Sequence, residues 1–227
     1  ALQPVFNRDR FLRQAPALFE DKRPTSLVNS NVPDRMQKIL SPRSKRFLSV
    51  LVNSQHFHQL LERLSSEETA FFHEVMEAIA AVAGDTPVVA SDVGLSQMWT
   101  ANYLPFAGPR QYITSGGLGT MGYALPAAMG AALGNSDRPI FAINGDGAFQ
   151  MNCQELATCA QYNIPVKCII LNNGKLGMVR QFQKVLLNSR YASTCMGNHV
   201  DFCKVSEGFG VKALRVTDKS DLQSVLQ

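Results

Sequence analysis

The sequence lacks several features that would assign it to a special class of protein. No stretch approaches the roughly 18 consecutive apolar residues that a membrane-spanning helix needs. Charged side chains occur within the first ten residues, so we expect no secretory signal and predict a cytoplasmic protein without a membrane partner. The five cysteines are an odd number and show no CxxC spacing, which favours free thiols over a disulfide framework or a zinc site.

Charge is scarce and unevenly distributed. Charged residues make up 18% of the chain, and the formal net charge is +4. Residues 1–64 hold 11 Lys and Arg against 5 Asp and Glu, whereas residues 65–227 hold 11 against 13. No nucleic-acid-binding motif accompanies the basic segment, so we interpret it as a solvated segment and expect no nucleic acid partner.

The chain divides into two parts by its residue pattern. Residues 1–64 contain five prolines and no long periodic run, which predicts an irregular N-terminal arm or the remnant of a preceding domain. Ser65 and Glu68 are spaced as a capping box, and apolar residues then recur at helical spacing up to Gly84. We therefore predict one domain over residues 65–227.

Strands and helices alternate through this predicted domain. Short apolar runs predict strands at 87–90, 140–143, 166–171 and 211–216. Other segments predict helices at 124–133, 152–162, 177–187 and 201–209, and a last one from about Ser220. Such alternation is typical of an α/β fold, in which a parallel sheet is flanked by helices on both faces.

Two polar turns follow neighbouring predicted strands and indicate a metal-bound phosphate. Gly145-Asp146-Gly147 ends one strand, and an Asn-Asn pair closing with Asn173 ends the next. Ligands of parallel sheets bind beyond the carboxyl ends of the strands, where both turns fall. Carboxylate, amide and carbonyl oxygens are suitable Mg²⁺ ligands, and a helix beginning after residue 149 would add N–H donors for the phosphate. The alternative is an Asp-Gly turn and an Asn-Asn cap without any ligand.

A second glycine-rich segment, residues 117–122, matches the GxGxxG fingerprint of dinucleotide-binding proteins. That fingerprint normally follows an apolar strand, whereas residues 111–115 are short and polar. The acidic residue expected about 20 positions later, at the end of a second strand, is also missing. We therefore interpret these glycines as a tight turn before a helix and disfavour a dehydrogenase.

Three segments together resemble a known family. They are SDVGLSQMW at 91–99, TSGGLGTMGYALPAAMGAAL at 114–133, and GDGAFQMNCQELATCAQYNIPVKCIILNNGKLGMVRQ at 145–181. In this combination they resemble the large catalytic subunit of acetolactate (acetohydroxyacid) synthase, a thiamine-diphosphate enzyme. The resemblance extends from about Ser65 to Gln227 and covers the family's C-terminal, diphosphate-binding domain.

The resemblance implies a role for each matching position. Mg²⁺ would be bound by Asp146, Asn173 and the carbonyl of Lys175. Catalytic roles would fall to Gly119, whose carbonyl accepts from the aminopyrimidine, and to Met121, which supports the bent cofactor. Met178 and Phe182 would contact substrate. The residues that would surround the cofactor are Val93, Gly94, Leu95, Ser96, Gly119, Met121, Gly145, Asp146, Gly147, Ala148, Asn173, Gly177 and Met178.

The implied activity is a transferase reaction of branched-chain amino-acid biosynthesis. Two pyruvates, or pyruvate and 2-ketobutyrate, would condense to a 2-acetohydroxy acid with loss of CO₂. The expected partners are a small 2-ketoacid substrate and either further copies of the chain or a separate chain with the pyrimidine-binding domain. Two alternatives stay open: another thiamine-diphosphate enzyme of the pyruvate decarboxylase or oxidase type, and a non-catalytic remnant that only binds Mg²⁺ and the cofactor.

The sequence departs from the family pattern in four places. The pyrimidine-binding domain and its activating glutamate are absent from these 227 residues. Leu95 and Ser96 stand where the family usually has Gln-His. Phe182 stands in place of a tryptophan that favours 2-ketobutyrate, which suggests a preference for pyruvate. The sequence also stops at Gln227, before the last helix and strand of the family's sheet, so we expect an apparently truncated domain.

Overall fold

A computed structural model describes residues 66–197 and 199–226. The predicted arm at residues 1–64 and the proposed capping residue Ser65 lie outside the described residues. The described strands are β1 (Val88–Ser91), β2 (Tyr112–Thr114), β3 (Ile140–Gly145) and β4 (Lys167–Leu171). The described α-helices are α1 (Ser66–Ala83), α2 (Leu95–Tyr103), α3 (Ala124–Gly134), α4 (Asp146–Asn152), α5 (Glu155–Tyr162), α6 (Gly177–Leu186), α7 (Phe202–Gly208) and α8 (Leu222–Leu226), with a 3₁₀ turn at Lys219–Asp221.

The four strands form one sheet in the order β2-β1-β3-β4. Every neighbouring pair is parallel, with Val88 opposite Ile140 and Phe141 opposite Lys167. Parallel neighbours need crossover connections, which the intervening helices supply. The predicted α/β class with a parallel sheet is therefore confirmed.

Alternating residues of the central strands pack into two apolar cores, one on each face of the sheet. Ile140 and Ala142 of β3 pack in the cluster that also contains α3 and α5 residues. Phe141 and Ile143 pack in the opposite cluster, together with α1 residues and Trp99 of α2. Because both faces are covered, β3 is an almost continuous run of buried apolar residues, as expected for a parallel strand in the middle of a sheet.

The structure contains two elements near the glycine-rich turn that the sequence pattern did not predict. One is strand β2, in the stretch interpreted above as too short and polar for a strand. Tyr112 is buried there, and its hydroxyl lies 2.8 Å from the Ser91 hydroxyl of β1. The other is helix α2, which begins directly after Gly94. Polar residues stabilise this sheet edge, so apolar periodicity did not reveal it.

Two further predictions were wrong. The helix predicted at 152–162 is α5, which begins at Glu155, and a separate helix, α4, precedes it and begins at Asp146 rather than after residue 149. Residues 211–216 adopt no strand. The side chains of Leu214 and Val216 are 59% and 37% exposed, so their alternation does not correspond to burial against a sheet.

The cysteines have the character that their spacing predicts. All five are free thiols. Burial raises the pKa of the Cys168 thiol to about 12, which makes this sulfur a poor nucleophile at neutral pH. Within the described ranges, no helix is long and apolar enough to cross a bilayer.

Candidate functional site

A cleft lies beyond the carboxyl ends of β1, β3 and β4. Its empty volume, including the solvent at its open mouth, is about 590 Å³. The lining comes from the turns after these strands and from the first residues of α2, α4 and α6. The lining residues are Phe72, Val93, Gly94, Leu95, Ser96, Trp99, Met121, Gly145, Asp146, Gly147, Ala148, Leu171, Asn173, Lys175, Leu176, Gly177, Met178 and Val179.

Asp146 is the buried carboxylate of this cleft. It is the first residue of α4 and only 3% exposed, and its Oδ2 accepts a hydrogen bond from the Gly174 amide at 2.7 Å. Burial raises the pKa of Asp146 above its ordinary value, while backbone N–H groups, including that of Gly147, oppose the shift. A carboxylate that is costly to ionise alone gains most from a bound cation, because the cation favours the charged form.

Asn173 and Lys175 bring two further oxygens to the same end of the cleft. The Asn173 Oδ1 accepts a hydrogen bond from the Lys175 amide at 3.0 Å, which holds the turn after β4 in shape. Lys175 pairs with Cys195 in an isolated antiparallel bridge. That bridge uses the Gly174 carbonyl and the Leu176 amide, so the Lys175 carbonyl takes no part in it. The donor set therefore fits a hard cation such as Mg²⁺.

A segment that we call the strap, residues 190–197, lies alongside this turn. Thr194 accepts from the Leu176 amide at 2.9 Å, and Met196 donates to the Gly174 carbonyl at 2.8 Å. Gln183 of α6 holds the strap through two hydrogen bonds with the Ala192 backbone and one from the Thr194 hydroxyl. The strap thus supports the turn that carries Asn173 and Lys175.

Two glycines stand where neighbouring side chains approach the backbone too closely for a Cβ. A Cβ at Gly147 would lie 2.7 Å from a Leu176 methyl carbon and 3.1 Å from the Met196 sulfur. A Cβ at Gly177 would lie 2.5 Å from a Leu95 methyl carbon. Gly147 is the second residue of α4 and Gly177 is the first residue of α6, and both line the cleft.

The glycine-rich turn forms the opposite wall of the cleft. Met121 lines the cleft, whereas Gly119 does not, although a Cβ at Gly119 would lie 4.0 Å from the Val93 side chain. Gly119 and Gly122 have φ angles of +65° and +84°, in the left-handed region that favours glycine. The turn needs these glycines for its shape, as the sequence analysis inferred.

Leu95 and Ser96, which stand where the family usually has Gln-His, make different contacts. The Ser96 hydroxyl donates to the Asp92 carbonyl at 3.1 Å, so this side chain is satisfied within its own turn. Leu95 packs at the edge of an apolar core and extends to Gly177. The nearby Trp99 ring stacks on Phe72 with centroids 3.5 Å apart, and the buried indole N–H has no acceptor among the described residues.

Of the residues proposed from the sequence, all but Gly119 and Phe182 line the cleft. Phe182 is 42% exposed and lies one helical turn beyond Met178 on α6. The sequence assigned no role to Asp92, which is fully buried and accepts hydrogen bonds from Val93, Gly122 and Ala124. Its position marks it as a residue of the ligand-binding edge, because Asp92 follows β1 just as Asp146 follows β3.

The chain is similar in sequence to known proteins. The profile of the family described as thiamine pyrophosphate enzyme, C-terminal TPP binding domain, matches residues 92–227. Acetolactate synthase from Mycobacterium avium is 44% identical over 156 residues, which are 67% of this chain and 25% of that protein. The large subunit of acetolactate synthase isozyme 1 from Escherichia coli is 34% identical over 218 residues, covering 91% of this chain and 37% of that protein.

A solved structure supports the same relationship. The thiamine diphosphate-dependent 4-hydroxybenzoylformate decarboxylase of Rhodococcus jostii RHA1 superposes with a TM-score of 0.64 at 28% identity, over 68% of this chain and 29% of that one. The chain spans only 25% and 37% of the length of the two curated relatives. The match of the family profile over most of the chain nevertheless settles its membership. The chain belongs to the thiamine pyrophosphate enzyme family, of which it carries the C-terminal TPP-binding domain.

Proposed function

We propose that the cleft binds thiamine diphosphate through Mg²⁺. In this proposal the Asp146 carboxylate, the Asn173 amide oxygen and the Lys175 carbonyl bind the metal. The single observation that supports it best is that Asp146, Asn173 and Met121 line one cleft at the carboxyl ends of parallel strands. Two ends of one elongated ligand would then contact opposite walls.

The chain's own residues would bind and orient the cofactor. The backbone amides at the start of α4 and α6, where Gly147 and Gly177 line the cleft, would donate to the diphosphate. Met121 would contact the thiamine end, with the Gly119 carbonyl near the aminopyrimidine. When bound, thiamine diphosphate supplies the carbon nucleophile that adds to the keto carbon of a 2-ketoacid and lets CO₂ leave.

We further propose an acetolactate synthase-type reaction, in which two pyruvates, or pyruvate and 2-ketobutyrate, give a 2-acetohydroxy acid for branched-chain amino-acid biosynthesis. The support is the identity of 34–44% to proteins named acetolactate synthase. Met178 would contact the substrate, and Phe182, at the outer end of the same helix face, would favour pyruvate as acceptor. A second candidate is decarboxylation without condensation, which the related 4-hydroxybenzoylformate decarboxylase favours.

The proposed partner is a second protein surface that covers the outer side of the cleft, either from another copy of the chain or from a chain with a pyrimidine-binding domain. Apolar side chains of α6 support this, because Val179, Phe182 and Leu186 are 47%, 42% and 55% exposed. Sedimentation velocity of the chain tests the first option. A monomer at every concentration would contradict self-association.

Calorimetry with thiamine diphosphate and Mg²⁺ tests the binding proposal. We expect Mg²⁺-dependent binding by the wild type and a loss of about 100-fold or more in Asp146→Ala, since the variant lacks a charged metal ligand. Asp137→Ala is the matched control, because Asp137 is an exposed carboxylate away from the cleft. Binding that is equally strong without Mg²⁺, or in Asp146→Ala, would refute the metal assignment.

Product analysis from pyruvate tests the reaction. The chain is incubated with pyruvate, thiamine diphosphate and Mg²⁺, alone and with a chain that carries a pyrimidine-binding domain. Acetolactate is the expected product. Acetaldehyde without acetolactate would favour the decarboxylase, and cofactor binding without any turnover in either mixture would favour a non-catalytic binding domain.

A further inference from the structure

We propose that Asp92 and Asn152 are positioning residues, which bind the N–H and the C=O of Gly122 and thereby fix Met121 in the cleft wall. The proposal rests on the proposed function, since it concerns the end of the cleft opposite the metal-binding residues. Neither residue lines the cleft itself. They act on the ligand only through the turn that they hold.

Asp92 holds the glycine-rich turn from the β1 side. Its Oδ1 accepts hydrogen bonds from the amides of Val93 at 2.8 Å and Gly122 at 2.9 Å. Its Oδ2 accepts from the amide of Ala124, the first residue of α3, at 3.0 Å. Asp92 is fully buried, and hydrogen bonds to a buried carboxylate are among the stronger ones in proteins.

Asn152 binds the other backbone group of Gly122, its carbonyl. Its Nδ2 donates to the Gly122 carbonyl at 2.6 Å. A Cβ at Gly122 would lie 2.8 Å from this nitrogen, so the side chain and the turn are in close contact. The N–H of Gly122 is thus bound by Asp92 and its C=O by Asn152, and Met121 immediately precedes this doubly held residue.

We call Asp92 and Asn152, with the Gly122 backbone groups that they bind, the clamp. Helix α4 connects the clamp to the metal-binding end of the cleft. Asp146 is the first residue of α4 and Asn152 is its last. A continuous helix is rigid over two turns, so the position of Asn152 is fixed relative to Asp146. The clamp therefore sets the separation between the Met121 wall and the Asp146 end.

The affinity of a ligand that contacts both ends of the cleft depends on this separation. The affinity of a ligand that contacts only the metal-binding end does not. Pyrophosphate with Mg²⁺ is such a short probe, and thiamine diphosphate with Mg²⁺ is the long one. Loosening the clamp should therefore weaken the binding of thiamine diphosphate and leave the binding of pyrophosphate unchanged. General damage to the fold would weaken both probes alike.

The test uses Asp92→Asn and Asn152→Ala in the full chain. Asp92→Asn keeps the shape but replaces Oδ2, the acceptor for Ala124, with an amide donor. Asn152→Ala removes the donor to Gly122 and serves as the second variant if Asp92→Asn does not fold. Asn135→Ala is the control, because Asn135 also donates from its side chain to a backbone carbonyl, at 2.9 Å, but does so at the far end of α3.

Calorimetry measures both probes, and near-UV circular dichroism reports how rigidly the bound thiamine rings are held. We expect thiamine diphosphate to bind about tenfold more weakly in each clamp variant, the effect of losing one well-placed hydrogen bond to the turn. Pyrophosphate affinity should change by less than about twofold, because the metal-binding end is intact. The circular dichroism signal per bound cofactor should fall in the clamp variants but not in Asn135→Ala.

The outcomes separate the two proposals. If the wild type binds neither probe with Mg²⁺, the proposed function fails, and this inference fails with it. If the wild type binds both probes but the clamp variants match it, only the inference is overturned. Equal weakening of both probes in the clamp variants would also overturn the inference, since Asp92 and Asn152 would then be general stability residues.

Discussion

The two walls of the cleft differ in how their positions are fixed. The wall that contains Met121 is fixed by a buried residue of the protein interior. Asp92 is completely buried, and its hydrogen-bond partners lie up to 32 residues away in sequence. In the wall formed by α6 and the strap, Gln181 is the one buried residue of the helix, and the hydrogen bonds between Gln183 and the Ala192 backbone are exposed. One wall therefore has a fixed shape, and the other can adapt.

The largest expected effect comes from Gly122→Ala in the fixed wall. Gly122 has a φ of +84°, and a Cβ there would lie 3.1 Å from the Met151 Cβ, an atom attached directly to the backbone. Strain and overpacking together should cost about 3 kcal/mol of the free energy of unfolding. Urea denaturation measures this.

Gly130→Ala is the control for that substitution. Gly130 is exposed within α3, and a Cβ there would meet no atom within 4 Å. The gain in helix propensity should stabilise this variant by about 1 kcal/mol. If Gly122→Ala were as stable as Gly130→Ala, the first wall would not be fixed in the way described.

Gly147→Ala tests the adaptable wall and should have a smaller effect. The new Cβ would meet the ends of two flexible side chains, Leu176 and Met196, and Gly147 is in a helix without a positive φ. These side chains can move aside, so we expect a loss of about 1 kcal/mol by urea denaturation. A loss as large as that of Gly122→Ala would mean that both walls are equally rigid.

The pH dependence of stability gives a further test of the fixed wall. Burial raises the pKa of Asp92 above the ordinary value of 3.8, against the effect of the backbone hydrogen bonds. The folded state then holds the proton more tightly than the unfolded state, so stability falls as pH rises from 3.8 through the raised pKa. Urea denaturation across this pH range should show that the free energy of unfolding falls less steeply with pH in Asp92→Asn than in the wild type. An identical slope would show that Asp92 does not titrate differently on folding.

The smallest global effect is expected for Gln183→Ala. The Gln183 side chain makes three hydrogen bonds to the strap, of which the two with the Ala192 backbone are exposed and the third is with the buried Thr194. Their loss should change global stability by at most about 1 kcal/mol but should release the strap locally. Hydrogen exchange at residues 192–196 should become faster, with exchange in β3 unchanged as the internal control. Unchanged exchange in the strap would contradict the role given to Gln183.

The sequence predicted those parts of the fold whose signal is local. Strands β3 and β4 are apolar runs that end at polar turns, so their positions and the grouping of Asp146 with Asn173 followed from the pattern. Strand β2 did not, because Gln111 and Tyr112 find their partners at Asp85 and Ser91, more than 20 residues earlier. Residues 211–216 have strand-like composition, but composition does not show whether a neighbouring strand is present.

The same distinction applies within the site. Asp146 was predicted because its neighbours in sequence form a recognisable turn, whereas the importance of Asp92 depends on Gly122 and Ala124, which are 30 and 32 residues away. Phe182 was assigned to substrate by resemblance alone, and its exposed position beyond the cleft lining leaves that role a prediction.

The length of α4 has an evolutionary consequence. One inserted residue would rotate Asn152 by about 100° around the helix axis relative to Asp146 and move it along the axis by about 1.5 Å. Its amide would then no longer reach Gly122. Selection should therefore reject insertions and deletions between positions 146 and 152, whereas the exposed turn at 187–189, which precedes the strap, is free to vary in length. Among related sequences, gaps should be found in the second segment and be absent from the first.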